Sequence, residues 1–480
     1  MYWCTGVLGK VYIQIVTRVK VEPVELKYKY PVLADHVSAS EVSTDRGSEL
    51  LVYNTVTGMK WCPNQAVFSF LTLATGKRSF EEIVKELSEK SGEPPEQIWP
   101  GLSELAAQMV EDGILFIGDS PALISRGLPP SVELVRRLES VNFETTRACN
   151  LHCRHCYADA GTFLQDELTV KEIKALIDEL ADLGVLSITF TGGEPLLHPF
   201  IGELMEYARK KPLTVILFTN GTLLTPEIVE KLKGLQVYRV ITSIDGPDPE
   251  THDTLRGVRG AFEKTIQGVN LLKEAGIDVF INVSITRFNY KKIKDILHLI
   301  TDLKVKGYRL WPVTFSGRGS EQDIFLTTEE FRAVMEAVRE FEFEVLGKQK
   351  EEVYYTKKVR NCGIGSNSLT IKCNGVVTPC AIFDEDVSLG NVRTHSVKEM
   401  WNSRLLNRLR AITVFETDMC KDCRVAAVCK GGCIANNYRR SGEFRCYDEY
   451  MCVAFDVTKD DFVPVEVEDI SSDSLSVEIV

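Results

Sequence analysis

The distribution of the cysteines is the sequence feature that most constrains this chain. Three of the fourteen cysteines lie within eight residues (Cys149, Cys153 and Cys156), and nine lie between Cys362 and Cys452. The segment between these two groups contains none. Cysteines buried as small apolar side chains would be scattered through every core, whereas clusters of this kind are typical of metal ligands. We therefore expect reduced cysteines that bind metal, in a cytosolic protein.

The size and charge of the chain exclude several classes of protein. A chain of 480 residues with 44% apolar and 26% charged residues has the composition of a soluble globular protein of about three domains. A net charge of -12 opposes binding to nucleic acid or to anionic membranes. Lys10, Gln14 and Arg18 interrupt the apolar N-terminal segment, and no run of about 18 apolar residues follows. We predict neither a signal peptide nor a membrane span, and we expect a cytoplasmic location.

Strand and helix patterns alternate in residues 141–345. The helix over residues 170–183, for example, begins with the capping pair Thr169 and Glu172 and ends at Gly184. Six strand–helix units predict a parallel sheet, either an open barrel or a doubly wound sheet, whose active site lies in the loops at the carboxyl ends of the strands. The predicted strands are residues 141–146, 186–190, 214–218, 237–243, 279–285 and 308–312.

A cysteine triplet directly follows the first predicted strand, where such a sheet has its active site. Its spacing is C-x3-C-x2-C, formed by Cys149, Cys153 and Cys156. Structural zinc sites use four protein ligands, commonly in paired C-x2-C motifs. Three thiolates without a nearby fourth suit a 4Fe-4S cluster that leaves one iron open to a small molecule. Zinc is the alternative.

A second motif supports an iron–sulfur enzyme. The second predicted strand runs into Gly192-Gly193-Glu194-Pro195. A C-x3-C-x2-C triplet after the first strand and a Gly-Gly-Glu-Pro loop after the second resemble the radical S-adenosylmethionine (radical SAM) superfamily. The resemblance implies a partial (β/α)6 barrel whose triplet holds a 4Fe-4S cluster that binds S-adenosylmethionine (SAM). Glycines let backbone carbonyls approach the methionine ammonium of SAM, and Glu194 can accept a charge-assisted hydrogen bond from it.

Polar residues at the ends of the later strands are further candidates for binding SAM. In the family, side chains at such positions hold the ribose and the carboxylate of SAM. Ser243 and Asp245 are the strongest candidates, and Arg256 can pair with a carboxylate, although each can equally be an ordinary turn residue. His155 stands where the family usually has an aromatic residue, and we assign it to the surroundings of the loop rather than to the ligands. The other candidates are Thr219, Asn220, Asn282 and Ser284.

Nine cysteines lie in residues 346–455, with the spacing Cys420-x2-Cys423-x5-Cys429-x3-Cys433 at their centre. This spacing, with Gly431-Gly432 before the last cysteine, resembles the SPASM extension of radical SAM enzymes, which carries two auxiliary 4Fe-4S clusters. The resemblance implies a first auxiliary cluster bound by Cys362, Cys380 and Cys433. It implies a second auxiliary cluster bound by Cys420, Cys423, Cys429 and Cys452.

The roles of two cysteines in this region are left open by the pattern. Cys373 lies in a predicted hairpin that turns at Asn374-Gly375, and it is a further candidate ligand of the first auxiliary cluster. Without it, that cluster has an open iron to which a substrate thiol can coordinate. Cys446 competes with Cys452 for the second auxiliary cluster. A pair of zinc ribbons is the alternative for the whole region.

Residues 49–120 are predicted to form a small winged-helix domain, in which a strand precedes three helices and a second strand follows them. The second helix begins with the capping pair Ser79 and Glu82. Residues 64–117 carry four basic and nine acidic side chains, a balance that opposes DNA binding. An exposed strand edge and helix groove suit an extended peptide instead, and the domain weakly resembles the peptide chaperone of pyrroloquinoline quinone synthesis (PqqD-like). The alternative is a domain that only packs against the rest of the chain.

Three segments lie outside these domains. They are an N-terminal arm (residues 1–48), a linker that contains Pro129 and Pro130 (residues 121–140) and an acidic tail (residues 456–480).

Together the parts predict a radical SAM peptide maturase. The resemblance implies that the enzyme reductively cleaves SAM and that the 5'-deoxyadenosyl radical abstracts hydrogen from a ribosomally synthesised precursor peptide, in which a thioether or carbon–carbon cross-link forms. The implied cofactors are three 4Fe-4S clusters and SAM, and the implied electron donor is a flavodoxin or a ferredoxin-type protein. One alternative is a radical SAM enzyme of tetrapyrrole or other cofactor biosynthesis. Another is a non-catalytic iron–sulfur protein for electron transfer or peptide docking.

Overall fold

The computed structural model describes residues 26–34, 37–44, 47–112, 114–118, 132–133, 136–321, 323–346, 362–412, 420, 423, 425–429, 431–444 and 448–455. The chain divides into two units, one of residues 1–326 with 363–409 and the other of residues 327–362 with 410–480.

The N-terminal part of the first unit combines strands with three helices around its own core. Asn64 caps the first helix, and the reciprocal capping box of Ser79 and Glu82 begins the second, as the sequence predicts. The strands are β1 (Tyr30–Leu33), β2 (Val37–Thr44), β3 (Gly47–Asn54), β4 (Lys60–Trp61), β5 (Leu115–Gly118) and β6 (Val132–Glu133), and the helices are α1 (Gln65–Leu73), α2 (Phe80–Ser91) and α3 (Pro95–Glu111). β1 pairs antiparallel with β5, and β2 forms a hairpin with β3.

This part begins earlier in the chain than residue 49, the boundary indicated by the sequence. β3 crosses that boundary, and Leu26, Ala34 and Val37 are buried in the same core as the helices. The predicted linker also differs, because β6 pairs with β2 inside it. β2 has the sequence VSASEVST and consists mostly of serine, threonine and glutamate, so it carries little of the hydrophobic signal by which strands are found.

Six parallel strands form the central sheet of the first unit. They pair in the order in which they follow along the chain, with β12 at one edge. A doubly wound sheet would reverse its strand order, so this sheet is the predicted partial (β/α)6 barrel. The strands are β7 (Ser140–Glu144), β8 (Ser187–Thr191), β9 (Thr214–Phe218), β10 (Arg239–Ser243), β11 (Val279–Ile285) and β12 (Gly307–Pro312). The helices between them are α4 (Val170–Asp182), α5 (Ile201–Arg209), α6 (Pro226–Gly234), α7 (Pro249–Arg256), α8 (Ala261–Glu274) and α9 (Ile293–Asp302).

The N-terminal part is attached to the amino ends of the barrel strands. The Thr214 hydroxyl, at the start of β9, donates to Thr55 O at 2.8 Å and lies 3.0 Å from the Tyr53 hydroxyl. Leu51 and Tyr53 are buried against Leu186, which directly precedes β8. The active-site loops of a barrel lie at the opposite ends of its strands, so this attachment leaves them free.

A hairpin from the C-terminal region extends the barrel sheet beyond β7. β13 (Ser368–Ile371) and β14 (Val376–Thr378) turn at Asn374-Gly375, as the sequence predicts, and β15 (Gly390–Asn391) pairs with β14. β13 lies parallel to β7, so residues 363–409 join the first unit instead of a separate domain that begins at residue 346. A buried ion pair of 2.9 Å between Lys372 and Glu144 accompanies this pairing across 228 residues of sequence.

The second unit contains the helix Thr328–Leu346 and most of the C-terminal cysteines. Phe331 of this helix packs on Tyr450, with ring centroids 4.9 Å apart. Among the helices that the structure describes in either unit, none is both long enough and apolar enough to cross a membrane. Cys446 and the predicted acidic tail lie outside the described residues.

Candidate metal centre and cofactor site

The loop after β7, called the cysteine loop below, carries all three cysteines of the triplet, Cys149, Cys153 and Cys156. Cys149 N donates a hydrogen bond to Gly161 O at 2.9 Å, and Gly161 N donates to Arg147 O at 3.0 Å, so the two sides of the loop are held together. Cys153 is buried in a small apolar cluster against which Cys149 and Cys156 pack. The three cysteines therefore lie together, with Cys153 buried and Cys149 and Cys156 partly buried.

Burial favours the protonated form of two of these thiols, Cys149 and Cys153. It raises the pKa of Cys149 to about 11, and the charges of Cys153 and Glu194 add to the rise. Burial also raises the pKa of Cys153, although the Arg256 guanidinium opposes it. In the described part of the chain, no three His, Cys, Asp or Glu side chains converge on a point as ligands of a single metal ion would. Three grouped thiols beside the Arg256 guanidinium fit a 4Fe-4S cluster, because the ligands of such a cluster are thiolates.

The loop after β12 braces the cysteine loop. Arg318 N donates to Cys156 O at 3.0 Å, and Arg318 Nε donates to Cys153 O at 3.1 Å. Gly317 has a φ of +57°, and a Cβ there would lie 2.3 Å from Cys156 O, so glycine is required. Neither Arg318 nor Gly317 was predicted from the sequence to belong to the site. Their signal is the Ser-Gly-Arg-Gly run that follows the last predicted strand, because loops at such a position border the active site.

The Gly-Gly-Glu-Pro loop packs directly on the backbone of the cysteine loop. Gly193 N donates to Thr146 O at 2.8 Å, and Glu194 N donates to Ala148 O at 2.7 Å. A Cβ on Gly193 would lie 2.2 Å from Ala148 O, and one on Gly192 would lie 2.5 Å from Thr146 O. Both glycines are therefore required by the approach of two protein backbones, in addition to any role towards SAM.

Glu194 is fully buried and joins the loops after β8 and β9. Its carboxylate accepts hydrogen bonds from Thr219 Oγ1 at 2.7 Å, from Asn220 N at 2.8 Å and from Leu196 N at 3.0 Å. Burial raises the pKa of Glu194, and these donors oppose the rise. The structure thus brings three predicted cofactor-binding residues together, and the bond from Glu194 to the ammonium of SAM remains a prediction.

Asp245 and Arg256 form a buried ion pair beside the cysteine loop. Arg256 Nη2 lies 2.7 Å from Asp245 Oδ2, and Arg256 Nη1 donates to Cys153 Sγ at 3.8 Å. His155 Nε2 lies 3.2 Å from Asp245 Oδ2. Burial alone would raise the pKa of Asp245, but Arg256 and His155 hold it well below its usual range. Asp245 is therefore a carboxylate anion at neutral pH, engaged by groups of the protein itself.

The remaining candidates for binding SAM also lie at the carboxyl ends of the strands. Ser243 is buried at the end of β10 and pairs in register with Asn282 of β11. Ser284 N donates to Asp245 Oδ1 at 2.8 Å. Asn220 Nδ2 donates at 2.9 Å to the side chain of Asn150, which lies in the cysteine loop. These positions fit the predicted roles, which remain predictions.

Four cysteines of the second unit lie close together. Cys423 N donates to Cys420 O at 3.1 Å, and both residues pack with Ala426. Burial raises the pKa of Cys420 and Cys452 to about 11 and that of Cys429 to about 12, and in each case neighbouring cysteines add to the rise. This grouping fits the set predicted for the second auxiliary cluster. The ligands predicted for the first auxiliary cluster divide between the units, with Cys380 in the first and Cys362 and Cys433 in the second.

Cys373 is buried in the first unit beside residues of the cysteine loop. Burial raises the pKa of Cys373 to about 12, Glu144 and Glu167 add to the rise, and the Arg147 guanidinium opposes it. Glu167 Oε1 also accepts a hydrogen bond from Arg147 N at 2.8 Å. These neighbours of Cys373 were not predictable from the sequence, because the β7–β13 pairing that brings them together has no local signal. The assignment of Cys373 as a ligand remains a prediction.

The thiol pKa values predict that cluster assembly is favoured by raising the pH. A thiol with a pKa of about 11 is protonated at neutral pH, and iron must displace that proton. At limiting ferrous iron and sulfide, the iron bound per chain should therefore rise from about pH 7 to about pH 9. Anaerobic reconstitution followed by iron analysis measures this dependence. A yield that does not change over this range would contradict the protonated state of the thiols.

Comparisons with known families identify two domains in the chain. The family model of the radical SAM superfamily matches residues 143–300, and that of the SPASM iron–sulfur cluster-binding domain matches residues 362–424. The AdoMet-dependent heme synthase of Nitratidesulfovibrio vulgaris is 32% identical over 339 residues, which are 65% of this chain and 91% of that protein. The antilisterial bacteriocin subtilosin biosynthesis protein AlbA of Bacillus subtilis is 30% identical over 393 residues, which are 78% of this chain and 86% of that protein.

Solved structures share the fold at lower identity. Streptococcus suis SuiB, in its crystal structure bound to the precursor peptide SuiA, aligns with a TM-score of 0.62 at 15% identity and covers 88% of this chain and 99% of its own. The cysteine triplet, the Gly-Gly-Glu-Pro loop and the parallel barrel thus coincide with matches in sequence and in fold. The chain belongs to the radical SAM superfamily and carries a SPASM domain, so it is a SAM-dependent enzyme that binds 4Fe-4S clusters.

Proposed function

We propose that the chain is a peptide maturase, which installs a thioether or carbon–carbon cross-link in a ribosomally synthesised precursor peptide. The observation that carries this proposal is the acidic N-terminal domain, formed by β1–β6 and α1–α3 and fixed to the amino ends of the barrel strands. Its contacts leave the active-site loops free, as a domain that captures a peptide for the barrel requires. Catalysis on a small molecule gives such a domain no evident use.

The surface of β5 and α3 suits an extended peptide. β5 pairs with β1 on one side, and no strand in the described part of the chain covers its other edge. Phe116 on β5 is 58% exposed. Beside it, α3 bears a shallow groove lined by Trp99, Glu104 and Glu111 among others. A peptide strand can pair with the β5 edge, and the carboxylates favour a segment that carries basic side chains.

The relatives support peptides as the substrate class. AlbA carries a bacteriocin biosynthesis name and spans 78% of this chain, against 65% for the heme synthase. SuiB, whose fold covers 88% of this chain, was crystallised with a precursor peptide. A tetrapyrrole substrate is the second candidate, because the heme synthase is 32% identical to this chain. The two candidates differ in whether the N-terminal domain contributes to substrate affinity.

We propose three 4Fe-4S clusters, with the triplet binding the one that meets SAM. When bound, that cluster and SAM supply a one-electron cleavage that yields methionine and a radical able to abstract hydrogen. The cleavage would consume one electron from a flavodoxin or ferredoxin-type donor. Formation of the bond in the peptide would release one electron and one proton, and an auxiliary cluster would be the electron acceptor. The proposed ligands outside the triplet are Cys362, Cys373, Cys380, Cys420, Cys423, Cys429, Cys433 and Cys452.

Reversing the charge of the α3 groove tests the proposal. The double variant Glu104→Lys/Glu111→Lys should weaken binding of the precursor peptide by about tenfold or more, because it repels basic side chains. Cleavage of SAM should be unchanged, because both side chains are exposed on the domain at the other ends of the strands. Fluorescence anisotropy of a labelled precursor peptide, such as one encoded beside the gene, measures the affinity.

A matched control carries the same charge change on another helix. Glu89→Lys/Glu93→Lys alters exposed residues at the end of α2 and just beyond it, and should leave the affinity for the peptide unchanged. Equal affinity of the α3 variant and the wild type would contradict peptide binding at this surface. If both double variants weaken peptide binding equally, the affinity depends only on the net charge of the N-terminal domain and not on the α3 groove.

A further inference from the structure

The fully buried Asp245 carboxylate contacts two cationic or protonatable groups of the cysteine-loop region. Its Oδ2 atom lies 2.7 Å from Arg256 Nη2 and 3.2 Å from His155 Nε2. His155 stands between Cys153 and Cys156 in the sequence of the loop. Arg256 spans the space between the carboxylate and the loop, because its Nη1 donates to Cys153 Sγ at 3.8 Å. One buried carboxylate is therefore connected to one cysteine sulfur through a single side chain.

The backbone around Asp245 is itself fixed. Ser284 N donates to Asp245 Oδ1 at 2.8 Å, and Asn289 Nδ2 donates to Asp245 O at 2.8 Å. Asp245 N donates to His252 Nδ1 at 3.2 Å, so this ring accepts a bond and is neutral here, with its pKa lowered by burial to about 4. The carboxylate thus has little freedom to move towards another partner, and it presents Oδ2 to Arg256.

The backbone of Arg256 is held beside the cysteine loop by His152 N, which donates to Arg256 O at 3.1 Å, and the Arg256 guanidinium is neutralised by Asp245. Arg256 is 7% exposed and Asp245 is fully buried. A buried charge that loses its partner is strongly destabilised, so a guanidinium without Asp245 would leave this position for water or for another anion. The sulfur of Cys153 would then lose its hydrogen-bond donor. Asp245 is therefore linked to the Cys153 sulfur through Arg256, without touching the sulfur itself.

We propose that Asp245 is a positioning residue that holds Arg256 as a hydrogen-bond donor to the Cys153 sulfur, and that this contact raises the reduction potential of the iron–sulfur cluster bound by the triplet. Donors to a cluster sulfur and positive charge near it stabilise the reduced, more negative state. The contact therefore makes the cluster easier to reduce by a given donor. The inference goes beyond the proposed function, since it involves no peptide.

The sign of one substitution separates positioning from simple charge. Asp245→Asn removes a negative charge near the cluster, and that change alone would raise the potential. If Asp245 positions Arg256, the same substitution removes the donor from Cys153 and lowers the potential. Arg256→Gln removes the donor directly, so both variants should shift the potential in the same direction, and the double variant should shift it no further than Arg256→Gln does.

Redox titration of the full reconstituted chain, followed by electron paramagnetic resonance without SAM or peptide, tests the proposal. The signal missing from the Cys149→Ala/Cys153→Ala/Cys156→Ala variant identifies the relevant cluster. At a fixed potential, the ratio of reduced to oxidised cluster should fall about tenfold in Asp245→Asn and in Arg256→Gln, which is ~59 mV for one electron. Asp248→Asn is the matched control, because Asp248 is partly exposed, pairs with Lys292 and caps α7, a role that asparagine retains. It should behave as the wild type.

Several results would overturn the proposal. They are a raised or unchanged potential in Asp245→Asn, an unchanged potential in Arg256→Gln, and additive shifts in the double variant. If Asp245→Asn does not retain iron, Arg256→Lys decides. Lysine keeps the charge but lacks the fork that reaches Asp245 and Cys153 together, so its potential should fall as in Arg256→Gln. A wild-type potential in Arg256→Lys would then overturn the proposal.

Discussion

Replacing Cys149, Cys153 and Cys156 together by alanine is expected to abolish cleavage of SAM and to remove about four of about twelve irons per chain. The three cysteines lie together in the loop after β7, and the structure offers no other group of three cysteines among the described residues of the first unit. None of the three substitutions lies in the second unit, where Cys420 and Cys423 pack together, so the iron of that unit should remain. Iron and sulfide analysis with a reductant-dependent assay for 5'-deoxyadenosine measures both effects.

A cysteine outside the three cluster sets serves as the control for this variant. Cys62 is exposed in the N-terminal domain, so Cys62→Ala should keep the full iron content and activity. Retained cleavage of SAM in the triple variant would show that another site binds the catalytic cluster. Stoichiometric zinc with little iron in the reconstituted wild type would contradict the assignment of all three clusters.

The substitution Gly193→Ala is expected to lower the rate of SAM cleavage by about a hundredfold or more. Its Cβ would lie 2.2 Å from Ala148 O and 2.7 Å from Arg147 O, which are backbone atoms of the cysteine loop. Backbone cannot rotate away as a flexible side chain can, so one of the two loops must shift. A shift of about 1 Å in a positioned group is enough for a loss of this size. Single-turnover formation of 5'-deoxyadenosine under reducing conditions measures the rate.

Gly202→Ala is the matched control, because a Cβ at this position in α5 has no heavy atom within 4 Å. It should leave the rate unchanged and stabilise the helix slightly, since alanine favours a helix over glycine by about 0.5–1 kcal/mol. Wild-type rates in Gly193→Ala would contradict the close packing of the two loops. An equal loss in both glycine variants would point to a general effect of substitution.

Local structure was predictable wherever the signal is contained in a short segment. The capping boxes of Ser79 with Glu82 and of Thr169 with Glu172 are present, and the six barrel strands agree with their predicted positions to within a few residues. Periodicity and capping depend only on neighbouring residues, which explains this agreement. β2 was missed because its small and polar residues give no such period.

Contacts that join distant parts of the chain were not predictable in the same way. Nothing local links β13 to β7, or Lys372 to Glu144, across 228 residues. The bond from Arg318 to the carbonyl of Cys153 likewise spans 165 residues. Motifs therefore indicated which loops form the site, but the groups that brace those loops emerge only from the fold.

The candidate site shows the same division between motif and environment. The triplet and the Gly-Gly-Glu-Pro loop indicated the cluster and the cofactor, because their residue types and spacing carry the chemistry. Asp245 was predicted to bind SAM, which stays a prediction, and the structure adds that its carboxylate lies beside Arg256 and His155. The type of residue at a strand end can be read from a single sequence. The partners of that residue cannot, because they depend on which strands become neighbours in the fold.

Mass spectrometry of the peptide product tests the central claim most directly. The reconstituted, reduced enzyme is incubated with SAM and with candidate precursor peptides taken from short reading frames near its gene. Peptide maturation predicts that the peptide loses two hydrogen atoms for each bond formed, that fragmentation locates a thioether or carbon–carbon cross-link, and that 5'-deoxyadenosine forms in proportion. Formation of 5'-deoxyadenosine with an unmodified peptide, together with turnover of a tetrapyrrole substrate offered in its place, would contradict the claim.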